Sequence, residues 1–142
     1  MANQITFIGA GNMASAIIGG LIDSGVAPST ITATAPNDSE LTSIKQRLGI
    51  NTDTDNNAAV AEADVVVLAV KPQIMRNVCE ALRDSVQRQQ PLVISIAAGL
   101  DAGTIDQWLG GQNAMVRCMP NTPSLVGYGA SGLYANANVS DA

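Results

Sequence analysis

A short apolar run, Ile5-Thr6-Phe7-Ile8, leads without a break into Gly9-Ala10-Gly11-Asn12-Met13-Ala14, and apolar residues at helical spacing follow at once. A Gly-x-Gly-x-x-Ala turn between a strand and a helix narrows the choice of folds sharply. The first glycine permits the tight turn, the second lets another group approach the backbone, and Ala14 keeps the helix close to the strand. The first-turn amides then face outward with the positive end of the helix dipole behind them, an arrangement suited to an anion such as a pyrophosphate. Asn12 and Met13 would line such a group through main-chain contacts. The bland alternative is a Gly-rich connection with no ligand, and the flanking strand and helix favour the binding reading.

The rest of the chain repeats this alternation. Strands are expected at Ile5–Ile8, Ile31–Thr34, near Ile50–Thr52, and at Val65–Val70, Leu92–Ile96 and Met115–Cys118. Helices are expected at Asn12–Asp23, with Met13, Ile17, Ile18, Leu21 and Ile22 as the apolar stripe, then at Ser39–Leu48, Ala58–Ala63 and Gln73–Val86. A last helix should open on Asp101 as N-cap and close at Gly110-Gly111. After Pro123 a Gly-rich stretch leads to one more strand at Leu133-Tyr134-Ala135. Right-handed crossovers between such units produce an α/β fold of Rossmann type, with a doubly wound, mostly parallel sheet and helices on both faces. Residues 1–142 make one domain of ordinary size. The polar ending Asn138-Val139-Ser140-Asp141-Ala142 resembles the lead-in to a further helix, so the chain reads as a fragment.

Composition excludes several functions. The net charge of −5 and the lack of a basic stretch argue against nucleic acid as a partner. No apolar stretch is long enough to span a bilayer and no secretory signal is visible, so a cytoplasmic protein is expected. Cys79 and Cys118 share no metal-ligand spacing and read as small buried hydrophobes. Histidine is absent, which removes a His-dependent triad and argues against catalytic zinc; no metal is expected. Chemistry must then come from a cofactor or from backbone and hydroxyl groups.

The strand ends hold the remaining candidates. An acidic residue closing the second strand would bind the 2′-hydroxyl of NAD and repel the 2′-phosphate of NADP. Here the segment is Thr34-Ala35-Pro36-Asn37, with no carboxylate before Asp38, which favours NADP although no Arg is present to grip a phosphate. Thr34 and Asn37 can donate hydrogen bonds there, or serve as ordinary turn and capping residues. Ala69-Val70-Lys71-Pro72 ends the fourth strand at the carboxyl edge, where Lys71 either faces a cofactor or is simply solvated. Pro72 is expected to stop that strand and aim the chain across the crevice. In Ser95-Ile96-Ala97-Ala98-Gly99 the small residues leave room for a flat ring, or for tight helix packing. Arg117-Cys118-Met119-Pro120-Asn121-Thr122-Pro123 is a rigid polar loop that either faces a substrate or merely stiffens the turn.

Taken in order, Phe7-Ile8-Gly9-Ala10-Gly11-Asn12-Met13-Ala14, Ala69-Val70-Lys71-Pro72, Ser95-Ile96-Ala97-Ala98-Gly99 and Met119-Pro120-Asn121-Thr122-Pro123 resemble the pyrroline-5-carboxylate reductases over essentially the whole chain. The first motif is shared with many dehydrogenases, whereas the last three are specific in order and spacing. The resemblance implies binding of NADPH, with NADH possible, and hydride transfer to the C5 imine carbon of 1-pyrroline-5-carboxylate to give L-proline, the last step of proline synthesis. It also implies a pyrophosphate site from Ile8 through Gly9, Ala10, Gly11 and Asn12 to Met13, and an adenosine end approached by Ala35, Asn37 and Asn56. Ala69 to Pro72 and Ala97, Ala98 and Gly99 would flank the nicotinamide, with Asn121, Thr122 and Pro123 near the substrate ring. Ala35 stands where a relative can offer a hydroxyl, and it offers none to a 2′-phosphate.

The resemblance further implies an all-helical C-terminal domain that forms a homo-oligomer and completes the site for the small-molecule substrate; that segment is missing here. No catalytic residue is assignable within the chain, and the isolated domain is expected to bind cofactor with little or no turnover. The competing readings are another small NADP-linked imine or β-hydroxyacid oxidoreductase, a non-catalytic nucleotide-sensing module, and an α/β domain without a nucleotide site.

Overall fold

The computed structural model describes residues 4–36, 38–96, 102–117 and 134–135. Strands β1 (Ile5–Ile8), β2 (Ile31–Thr34), β3 (Asn51–Asp53), β4 (Val65–Leu68), β5 (Leu92–Ser95), β6 (Ala114–Arg117) and β7 (Tyr134–Ala135) form one sheet in the order β3-β2-β1-β4-β5-β6-β7. The first six run parallel, and β7 pairs antiparallel with β6. Between them lie α1 (Asn12–Asp23), α2 (Asp38–Leu48), α3 (Asn56–Val60), α4 (Pro72–Gln89) and α5 (Ala102–Trp108), with a 3-10 turn at Pro28–Thr30.

Alternation along each strand gives the sheet two apolar faces. On one, Phe7, Ile31, Ala33 and Val67 pack with Ala14 and Ile18 of α1 and Leu41 and Ile44 of α2. On the other, Ile8, Val66, Leu68, Val93 and Met115 pack with Met75, Cys79, Leu82 and Val86 of α4 and Ile105 of α5. Helices therefore cover both faces of a sheet whose order reverses between β1 and β4, the expected doubly wound arrangement.

The second face is less apolar toward its β3 end. Thr6, Thr32 and Asn51 share one register row there, beneath the five-residue α3. So short a helix leaves a polar cleft of about 340 Å3 along Gln4, Thr6, Thr32 and Asn51. Thr6 Oγ1 donates to the Ala59 carbonyl at 3.2 Å, which ties α3 to β1, and Ser85 Oγ donates to Asn57 Oδ1 at 2.7 Å, which ties it to α4.

Several expected boundaries shift. β4 ends at Leu68, leaving Ala69 and Val70 in the connection, and Pro72 opens α4 at a position where its missing N–H and fixed φ cost nothing, so it starts a helix rather than only ending a strand. α4 continues to Gln89 and stops on Gln90, which adopts the left-handed conformation at φ 52°. Met13, counted in the apolar stripe of α1, is 39% exposed. Asp101 and Cys118 lie outside the described residues. Cys79 is buried as expected, and burial, reinforced by the Glu80 charge, pushes its thiol up from 9.0 to about 12.

Candidate functional site

Parallel register brings the ends of six strands into one line: Asp53, Thr34, Ile8, Leu68, Ser95 and Arg117 are successive partners across the carboxyl edge. The connection leaving β1 turns to one side of the sheet and that leaving β4 to the other. A crevice opens where such connections diverge. Hydrogen bonds hold its walls, with Gly9 N–H donating to the Thr34 carbonyl at 3.0 Å and Ala69 N–H to the Ile8 carbonyl at 2.9 Å.

The two glycines of the turn do different things. Gly9 has φ +113°, and a Cβ there would lie 2.7 Å from the Ala69 carbonyl oxygen and 3.4 Å from Val70 Cγ1. The fold itself requires glycine at this position. Gly11 has φ −78°, and among the described residues a Cβ there would meet nothing within 4 Å. Packing against the described residues thus gives no reason for its missing side chain. Gly11 is also the N-cap of α1, no side chain caps that end, and the first turn contains no acid. Amides at a helix start without a carboxylate partner suit an incoming anion.

Side chains at this edge divide into those facing the crevice and those turned from it. Ile8 and Ala10 are buried in the two apolar cores and can offer only main-chain groups to a ligand. Thr34 is buried at the end of β2, and its hydroxyl donates to the Phe7 carbonyl at 3.4 Å. Ala35 is buried as well. Asn56 is half-buried as the first residue of α3, just after Asp55, whose carboxylate accepts the Asn57 and Ala58 amides at 3.0 and 3.2 Å. Ala69 and Val70 are half-buried, each packed against one core, while Lys71 and Pro72 are exposed at the start of α4. For Asn12 only the backbone, within α1, is described. Asn37, Ala97, Ala98, Gly99, Asn121, Thr122 and Pro123 lie outside the described residues.

Sequence reasoning missed the acidic wall beside this edge. Asp38 of α2 and Asp53 of β3 line one groove of about 650 Å3 with Lys45 and Thr54. They are 15 positions apart on different elements, and the packing of α2 beside β3 brings them together. Among the described residues no group of His, Cys, Asp and Glu is placed to hold a metal ion, and no helix is long and apolar enough to cross a membrane.

Sheet order and the β1–α1 turn define a Rossmann-type α/β domain. Residues 4–99 match the family described as NADP oxidoreductase coenzyme F420-dependent, and the chain belongs to that family. It is 50% identical over 139 residues to a pyrroline-5-carboxylate reductase of Pseudomonas aeruginosa, a match covering 98% of this chain and 50% of the relative. Its fold superposes on a pyrroline-5-carboxylate reductase of Coxiella burnetii with TM-score 0.92 and 45% identity, covering 99% of this chain and 52% of that one. A Plasmodium falciparum pyrroline carboxylate reductase with NADP bound gives TM-score 0.80 at 28% identity, covering 98% and 50%. The chain spans about half the length of the curated relatives it matches.

Proposed function

We propose that this chain is the cofactor-binding half of a cytoplasmic reductase that converts 1-pyrroline-5-carboxylate to L-proline, with NADPH preferred and NADH accepted. The observation that carries the binding reading is Gly11, whose missing side chain leaves open space in front of an uncapped, acid-free helix start. Support for the particular reaction comes from half-length matches to pyrroline-5-carboxylate reductases, one of them holding NADP.

Ile8, Gly9, Ala10, Gly11, Asn12 and Met13 would hold the pyrophosphate through the main chain. The adenosine end would lie over the ends of β2 and β3, near Ala35, Asn37 and Asn56. The nicotinamide would sit on the other side of the crevice, against Ala69, Val70, Lys71 and Pro72 and against Ala97 to Gly99, with Asn121, Thr122 and Pro123 toward the substrate. When bound, the reduced nicotinamide supplies a hydride to the imine carbon. The residues of this chain orient that ring and exclude water from one side of it. A protonated imine is already electrophilic, so positioning accounts for much of what the protein must contribute. The other half of the substrate site and the surface for homo-oligomerisation are assigned to a helical domain outside this chain.

Calorimetric titration with NADPH and NADH tests the site. Saturable binding that Gly11→Val abolishes while the protein stays folded is the expected result. Unchanged affinity in that variant refutes the assignment.

A further inference from the structure

We propose that Met13 is a site of oxidative modification: a hydroperoxide converts its thioether to the sulfoxide while the dinucleotide site is empty, and the sulfoxide weakens dinucleotide binding. The proposal rests on the reading above, in which the pyrophosphate lies against the start of α1.

Among the described residues the sulfur atoms divide by access. Met75, Met115 and Cys79 are fully buried, whereas Met13 is exposed. It stands apart from its own helix stripe as well, since Ile17, Ile18, Leu21 and Ile22 are buried or half-buried. Burial also keeps the Cys79 thiol protonated, and a protonated thiol is a poor nucleophile toward peroxide. Oxidation of a thioether follows its exposure. A peroxide reaching the described part of this domain therefore meets the Met13 sulfur first.

The position of that sulfur gives the modification a consequence. Met13 is the second residue of α1, two after the N-cap Gly11. Long side chains in a helix lean back toward its N-terminus, which carries this thioether over the helix start. The space there is open, because among the described residues a Cβ on Gly11 would meet nothing within 4 Å, and no side chain of the N-cap satisfies the first amides. In the reaction the sulfur lone pair attacks one peroxide oxygen, an S–O bond forms and the O–O bond breaks. The proton on the transferred oxygen passes to the departing one, which leaves as water when the oxidant is hydrogen peroxide. The thioether loses two electrons and the peroxide gains them. The new sulfoxide oxygen is a strong hydrogen-bond acceptor placed beside donors that lack a partner, so it competes with the pyrophosphate for them. A bound pyrophosphate covers the same approach and shields the sulfur. Cofactor occupancy and oxidation thus oppose each other.

Wild type and Met13→Leu are treated with hydrogen peroxide, with and without NADP+ at saturation, and mapped by peptide mass spectrometry. After the peroxide is removed, NADPH affinity is measured by calorimetry and folding by thermal unfolding. Met13 should gain one oxygen well before Met75 and Met115. NADP+ at 100 times its Kd leaves about 1% of sites empty and should slow that gain at least about 5-fold. Oxidised wild type, still folded, should bind NADPH about 3- to 10-fold more weakly, the effect of one competing hydrogen bond. Methionine sulfoxide reductase with dithiothreitol should restore the affinity. Met13→Leu, compared with its own untreated value, should bind NADPH equally well after peroxide. Oxidation of Met13 no faster than that of the buried methionines, no protection by NADP+, undiminished affinity in oxidised wild type, a loss the reductase does not reverse, or an equal loss in Met13→Leu overturns the proposal. An untreated wild type that binds neither NADP+ nor NADPH refutes the dinucleotide reading itself and this proposal with it, an outcome seen before any peroxide is added.

Discussion

Gly9 and Gly11 are two positions apart and carry the same letter, yet they answer to different constraints. The fold needs Gly9, because any Cβ there runs into the Ala69 carbonyl and must also accept φ +113°. Gly9→Ala should cost about 2–4 kcal/mol in urea unfolding, combining backbone strain with a steric clash. Gly11→Val should shift stability by no more than about 1 kcal/mol while removing cofactor binding, because the added atoms enter open space. The motif was legible in the sequence, but this division was not, since it depends on what β4 places opposite each glycine. Thr34 shows the same limit: a hydroxyl at a strand end cannot be assigned to ligand or sheet until the direction of its side chain is known. Cys79 makes a separate prediction. Its thiol titrates at about 12 in the folded chain against 9.0 ordinarily, so the folded state keeps a proton that the unfolded state loses. That contribution is intact below pH 9 and is lost as pH rises toward 12, at up to about 1.4 kcal/mol per pH unit. Cys79→Ala should flatten this alkaline loss of stability, as read from unfolding curves collected across that range.

At the scale of elements, β1, β2 and α1 fall where periodicity placed them, because each is bounded by residues with strong local preferences. The misplaced ends have physical causes. α4 outruns its expected end at Val86 because its stop is Gln90 in the left-handed conformation, and glutamine gives no stop signal in sequence. Gln90→Gly should accordingly stabilise the domain by about 1 kcal/mol and raise its melting temperature by a few degrees. α3 begins at Asn56 instead of Ala58, because Asp55 caps it through two amides before the apolar residues begin. The later cofactor-side segments stand out by motif order more than by any periodic signal, so residue chemistry alone leaves their roles open.

For the molecule as a whole, strand alternation made the fold class legible, and register then gathers the strand ends into one edge. The acidic groove was not legible, since no local pattern links Asp38 to Asp53. A chain spanning half of its relatives, with both apolar cores formed around one sheet, should fold and bind NADPH by itself yet reduce 1-pyrroline-5-carboxylate far more slowly than a full-length relative. Comparable turnover in a steady-state assay would contradict the two-domain account. The thin cover that α3 gives the polar end of the sheet has a consequence for the lifetime of the protein. Among the described residues strand β3 has a partner on one side only and a cleft beneath it, so its amides should exchange with solvent well before those of β4 and β5. A dinucleotide lying across the ends of β1, β2 and β3 would close that weak margin. At a concentration 100 times its Kd it would add about 2.7 kcal/mol to global stability. Supply of the cofactor would then govern how long the domain survives proteolysis as well as how often its site is filled.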